Sequence, residues 1–396
     1  MNTSYIGGPT QLRSAPPHGV MKAVLVLLAA TIAAALAPPA GACVLCLPYP
    51  KKTSADYVIE SSTVVFAREN PARPLLFVPV ETLKGHYHGD FIPLLVDSTT
   101  ARALRLDPTL SVVLAEHRSG GTWTRLGLAG SEYQAVLREI ARWSEHWGGK
   151  STTAEERARY FAPYLQNQDR GLAELAFLEI GRAPYATIRG LAATVERDDL
   201  YGVINDFFHV EWHALYILML GMSDRPEDIA FIRGKLETAA EFGLTINLGA
   251  YATALIEMMG ADAVKLLARE YFVGPDRSDA EVIEVLKALS VQGHEGRVEL
   301  RSAIVEAYGL VLAHHPEQAG YVAKDLFDWN VNRFAPQMRE LLNAGVALDE
   351  ASELAVTVYV ASVGAGQIGA GAAHRSPNPM NAPRRKTGLD NPGGIP

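Results

Sequence analysis

The chain of 396 residues carries 36 lysines and arginines against 44 aspartates and glutamates, a net charge of -8, and is 48% hydrophobic. That length accommodates two domains with cores of their own, and that composition excludes wholesale disorder, collagen-like structure and a polytopic membrane protein. The negative charge argues against a protein that binds nucleic acid by neutralising phosphates, and two cysteines cannot build a disulfide-rich scaffold.

Residues 1–20 carry Pro, Gly and Ser without pattern and read as an unstructured extension, with Met21 as an alternative initiator. Lys22 then precedes a charge-free apolar run over residues 23–37, followed by Pro38-Pro39 and the small-x-small sequence Ala40-Gly41-Ala42. This is the pattern of a cleaved signal peptide over residues 21–42, and the run is shorter than the ~20 residues a spanning helix needs. The mature chain is therefore expected outside the cytoplasm, periplasmic or secreted, with no spanning segment after cleavage. Residues 1–42 and the tail from 374 onward hold more cations than acids, so the body between them is more acidic than the whole. Such a surface matches neither nucleic acid nor anionic lipid.

Both cysteines fall at the expected mature terminus, Cys43-Val44-Leu45-Cys46. A disulfide between them would close a small ring and staple little of the chain. A redox pair wants a helix start after it, where backbone dipoles lower the thiol pKa, but Leu47-Pro48-Tyr49-Pro50 follows here. Leu47 stands where haem attachment needs histidine, and a zinc site lacks a second cysteine pair. Ala40-Gly41-Ala42-Cys43 also partly matches an acylation signal, which would place a lipid anchor on Cys43.

A β module is expected over residues 43–130. A short helix over 54–61 precedes strands over 63–68, 75–83, 91–96, 111–118 and 122–128. Ser119-Gly120-Gly121 joins the last two as a hairpin, and Asp97 caps a short helix that ends before Asp107-Pro108. Five short strands in so few residues suggest an OB-like barrel. The terminal cysteine, the helix, Val64-Val65-Phe66-Ala67-Arg68-Glu69, Val78-Pro79-Val80-Glu81-Thr82-Leu83-Lys84-Gly85 and the closing hairpin together resemble the netrin/tissue-inhibitor-of-metalloproteinase type of OB module. That resemblance implies that the α-amine and carbonyl of Cys43 chelate a protease zinc, although Cys-x-x-Cys replaces the family's Cys-x-Cys. His86 and His88 share a face if their segment is extended and form a candidate metal pair with Asp90. The competing reading is a polar turn between Gly85 and Gly89.

Residues 131–150 read as a connecting helix, with Tyr133, Val136, Leu137, Ile140 and Trp143 at helical spacing, and a Gly-Gly linker. From 151 to 363 the chain is expected to be helical and to repeat. Ala176–Gly181, Tyr216–Gly221 and Leu255–Gly260 are similar hexamers with a period of about 40 residues, each followed by a second helical run, and Ile304–Gly309 is a later copy. This resembles HEAT or armadillo repeats, in which helix pairs stack because one pair cannot bury its own apolar face. His209 and His213 have helical i, i+4 ligand spacing, but Glu211 does not follow the first histidine directly, as a metalloprotease base must. They read as a packed or capping pair, with metal binding the alternative. Glu179, Glu257, Asp325, Asp328 and Trp329 are candidates to line a concave surface, although residues 324–329 read more simply as one amphipathic helix with a solvated acidic edge. Gly364-Ala365-Gly366-Gln367-Ile368-Gly369 matches a dinucleotide fingerprint, but no second strand can follow it. The last helix is expected to end near Gly364, leaving residues 364–396 as a basic tail.

The fold class expected is thus α+β: a small OB-like β barrel followed by an all-α HEAT-like array. The function that fits is an exported binding or scaffold protein whose helical surface holds a protein or cell-envelope partner, with no cofactor called for. The alternatives are an inhibitor-like or chelating module acting through Cys43, and an enzyme whose site follows no familiar pattern.

Overall fold

The computed structural model describes residues 45, 52–117, 121–148, 154–274 and 277–373, with side chains through 363. Strands β1 (Thr63–Asn70), β2 (Arg73–Lys84), β3 (Ile92–Leu95), β4 (Ser111–Glu116) and β5 (Trp123–Ala129) form one antiparallel sheet in the order β3-β2-β1-β4-β5. The central strands β1 and β4 are buried residue after residue through Ala67 and Ala115, since both faces of the sheet are covered. One face packs Val65, Ala67, Phe77, Val112, Leu114 and Trp123 against Ala101 and Leu104 of helix α2 (Ser98–Leu106). The pairing of β1 with β2 slips register at three places, and such bulges bend a sheet, here into a curled half-barrel. Gly85 closes β2 at φ 73°, where a Cβ would stand 2.2 Å from the Ser62 carbonyl oxygen, so no larger residue fits that turn.

Helix α1 (Ser54–Glu60) precedes the sheet, and its first turn is closed reciprocally. The Asp56 N–H donates to Thr53 Oγ1, while the Thr53 N–H donates to the Asp56 carboxylate. Asp97 caps α2 in the same general way, accepting from the Thr100 N–H at 2.9 Å. After the sheet come α3 (Ser131–Arg142) and α4 (Ser144–Trp147), a helix broken at Trp143 where the sequence reads as continuous. Tyr133, Val136, Leu137 and Ile140 supply the buried stripe of α3, as their spacing requires.

The chain is mostly helical from there, and the described residues contain seventeen α-helices in all. They continue with α5 (Ala154–Phe161), α6 (Arg170–Gly181), α7 (Tyr185–Leu191), α8 (Arg197–Ile204), α9 (His213–Leu220), α10 (Pro226–Phe242), α11 (Leu248–Met259), α12 (Ala261–Ala268), α13 (Asp279–Glu295) and α14 (Leu300–His314). Every residue of α9 from Ala214 to Leu220 is buried, because this helix is apolar all round and has neighbours on all sides. Its end lies close to α11: a Cβ on Gly221 would meet Ala254 at 2.9 Å. Gly181, Gly221 and Gly260 each stand at the end of a helix, as the three hexamers suggest. The fourth copy does not follow them, because Ile304–Gly309 lies in the middle of α14.

A second compact unit begins at His315 and contains α15 (Ala319–Asp328), α16 (Ala335–Asn343) and α17 (Glu350–Ala373). Gly320 of α15 permits close contact with Ser352 of α17, whose Oγ would stand 2.3 Å from an added Cβ. Tyr359 is fully buried and its hydroxyl donates to the Val331 carbonyl at 2.8 Å. Helix α17 runs unbroken to Ala373 and corrects the expected end near Gly364. The glycines of the apparent dinucleotide fingerprint lie within that helix rather than in a strand-to-helix turn.

Candidate functional site

Cys43 and Cys46 lie outside the described residues. Leu45 between them is described, and its Cδ2 lies 2.7 Å from where a Cβ on Gly249 would stand, in the first turn of α11. His86 and His88 are exposed on the connection from β2 to β3, with parallel rings 6.4 Å apart. Tyr87 between them turns inward: its ring meets Trp123 edge-on at 5.1 Å and its hydroxyl donates to the Phe91 carbonyl at 2.7 Å. Among the described residues no group of three or more His, Cys, Asp or Glu side chains is placed to hold a metal ion.

The structure brings His209 and His213 together around Asp206, in the turn between α8 and α9. Asp206 caps the short 3-10 turn Phe207–His209, its Oδ1 accepting from the Phe208 N–H at 2.9 Å. Its Oδ2 accepts from His209 Nδ1 at 2.7 Å, and its main-chain carbonyl accepts from His213 Nε2 at 2.9 Å. His209 Nδ1 and His213 Nε2 are therefore donors, since carboxylate and carbonyl oxygens only accept. The Phe208 N–H, then the His209 ring, hold the Asp206 carboxyl below the usual carboxylate range. Trp212 completes the turn by lying flat on the Phe177 ring at 4.8 Å. This scaffold presents Phe207 and Phe208 to solvent, 81% and 89% exposed.

Those phenylalanines do not stand alone. Arg197 and Tyr201 of α8 meet Asp228 and Phe231 of α10, through an ion pair and a ring contact of 4.9 Å, so the two helices run parallel. Their C-terminal ends therefore point to the same side, with α10 running on past the end of α8 by about eight residues, ~12 Å. Along α11 and α13, Gly249 faces Glu284 and the Thr253 carbonyl accepts from Gln292 Nε2 at 3.1 Å, so these helices are also parallel and begin at a common edge. The loop over 243–247 joins the end of α10 to the start of α11 and lies on that same side. Phe242, Leu244 and Ile246 are exposed there. Val273, exposed at the end of the π-helical turn Arg269–Val273, belongs to the same edge, where the Arg277 guanidinium donates to the Ala240 carbonyl. Single exposed apolar residues are ordinary, but a row of them on successive loops marks a contact surface.

The buried charges have a different character. Glu179 is 1% exposed and accepts from Thr53 Oγ1 at 2.5 Å and Arg157 Nη2 at 2.7 Å. Arg157 and Arg182 also bind Asp56, at 3.0 and 2.5 Å. Burial pushes the Asp56 carboxyl up, but the Arg182 hydrogen bond, the Thr53 N–H and the two guanidinium charges outweigh it and hold the pKa at about 2. Asp56 thus has no proton to donate near neutrality, although it lines a cleft of about 600 Å³ with Lys84, Trp147 and Arg157. Glu257 is likewise enclosed, binding Arg189 at 2.9 Å, Gln292 at 3.1 Å and the Tyr185 hydroxyl at 3.2 Å. Glu179 and Glu257 therefore tie elements together instead of lining a surface. Asp325 is buried as well, whereas Asp328 pairs with Lys324 at 2.7 Å.

No protein-family model, curated protein or solved structure matches this chain. The site has one local signal in the sequence. An aspartate followed directly by two phenylalanines, between two helical runs, combines a capping residue with apolar groups that the short turn cannot bury.

Proposed function

We propose that this chain is an exported, non-catalytic binding or scaffold protein: an OB-like module followed by a HEAT-like helical array. Its contact surface is the loop edge carrying Phe207, Phe208, Phe242, Leu244 and Ile246. The observation that carries the reading is this set of exposed phenylalanines and aliphatic residues on successive loops, two of them held by a hydrogen-bonded turn. Exposed phenylalanine is unfavourable by ~1.5–3 kcal/mol relative to burial, so a set of them on one edge is best explained by a partner that covers them. The five-stranded half-barrel supports the OB-like assignment, and the side-by-side parallel helices support the array.

Photocrosslinking in the producing cells tests this. A benzophenone side chain placed at position 208 or 246 is expected to give a defined adduct, and one at the exposed Leu106 of α2 is not. If positions 208 and 246 give no adduct of any kind, lipid or protein, the edge is not a contact surface and the proposal fails.

A further inference from the structure

We propose that His86 and His88 form a chelating pair for a divalent transition-metal ion that favours imidazole, copper(II) foremost. The proposal is independent of the loop edge and uses the connection from β2 to β3. What makes a pair of two surface histidines is the residue between them. Tyr87 is anchored inward: its ring meets Trp123 edge-on at 5.1 Å and its hydroxyl donates to the Phe91 carbonyl at 2.7 Å. In an extended segment the residues on either side of an inward one point outward together. His86 and His88 are accordingly both exposed, with ring planes 3° apart and centroids 6.4 Å apart.

The ends of the segment are fixed as well. Gly85 lies against the Ser62 carbonyl at φ 73°, and Gly89 lies against the Tyr87 ring, where a Cβ would stand 2.5 Å from the hydroxyl oxygen. Neither position admits a side chain without displacing its neighbour, so the segment has little freedom to separate the rings. Two imidazoles bound at ~2.1 Å to adjacent positions of one ion have centroids about 5 Å apart. The exposed rings reach that distance by side-chain rotation, a closure of about 1–2 Å. The surroundings favour a cation. Burial raises the pKa of the Tyr87 hydroxyl, and the nearby Glu116 and Asp90 carboxylates raise it further. Lys84, the nearest cation in sequence, is committed to the Val58 carbonyl of α1 at 3.0 Å. Among the described residues no third imidazole, thiol or carboxylate converges on the pair, so water or a donor from a partner fills the other positions. For such ligands copper(II) binds more tightly than nickel(II) or zinc(II).

Titration of the full chain with copper(II) tests this by calorimetry and electron paramagnetic resonance, in a Cys43→Ser, Cys46→Ser background that removes competing thiolates. The tightest ion is expected to show two imidazole nitrogens in its spectrum. His86→Gln or His88→Gln leaves a single ligand and loses the gain from intramolecular chelation, so affinity is expected to fall about a hundredfold. Tyr87→Phe keeps both imidazoles but loses the anchoring hydrogen bond, with an expected fall of about two- to tenfold. His146→Gln, at another exposed histidine, is expected to leave the affinity unchanged. Nickel(II) and zinc(II) should bind more weakly and depend on the same two residues. Equal copper affinity in the parent and in both histidine variants overturns the proposal, and so does a spectrum with a single nitrogen ligand.

Discussion

Replacing Glu179 with alanine removes one carboxylate from a nearly balanced buried set of two acids and two arginines. Glu179 is 1% exposed, Asp56 and Arg157 have side chains 13% and 14% exposed, and Arg182 is 19% exposed. After the change Arg157 and Arg182 retain only Asp56, and one positive charge stays enclosed without its counterion. Breaking a buried pair on one side in this way costs about 3–5 kcal/mol, more than the loss of the hydrogen bonds alone. Thr53 Oγ1 also loses its acceptor, which adds to the loss. Urea unfolding followed by tryptophan emission measures the change, because the Trp147 ring lies 5.7 Å from the Arg157 guanidinium carbon. Joint replacement, Glu179→Leu with Arg157→Met, is expected to recover most of the stability, because apolar groups of similar volume can substitute for an enclosed ion pair. A loss below about 1 kcal/mol in Glu179→Ala, with no recovery in the double variant, would refute the claim that this network joins α1 to α5 and α6.

Three further outcomes follow from the geometry. The Asp56 pKa is depressed from 3.8 to about 2, so its contribution of about 2 kcal/mol is complete above pH ~4 and is lost as pH falls from ~4 to ~2. Urea midpoints across that range should fall less steeply in Asp56→Asn than in wild type. Gly221→Val drives a side chain into the Ala254 backbone and is expected to destabilise by about 1–3 kcal/mol, read as a lower thermal midpoint, whereas Gly234→Val meets no such neighbour. Asp206→Ala removes the acceptor of the Phe208 N–H and of the His209 ring. Amide exchange over 207–213 should accelerate while α11 and α13 stay protected; equal rates would mean that Asp206 does not hold the turn.

The local grammar of the fold is legible in the sequence because it depends on near neighbours. Asp97 before Ser98-Thr99-Thr100 does cap a helix, and short apolar, β-branched runs bounded by turn residues do mark all five strands to within a few residues. The role of Glu179 is illegible for the opposite reason: its partner Thr53 is 126 residues away, and nothing local distinguishes a solvated glutamate from an enclosed one. His209 and His213 show how spacing misleads. Their i, i+4 separation is that of a metal pair, yet His209 is the end of a 3-10 turn and His213 the first residue of α9, so both serve the capping of Asp206. The last helix passes through Gly364, Gly366 and Gly369 although glycine disfavours helix by about 1 kcal/mol per residue, so propensity alone ended it too early.

The contact between Leu45 and Gly249 has a consequence for the order of events during synthesis. The two residues are separated by roughly 200 positions, so Leu45 cannot make this contact until more than half of the chain has been made. Until then Leu45 lacks this packing partner, so the contact belongs to the later stages of folding and not to the first.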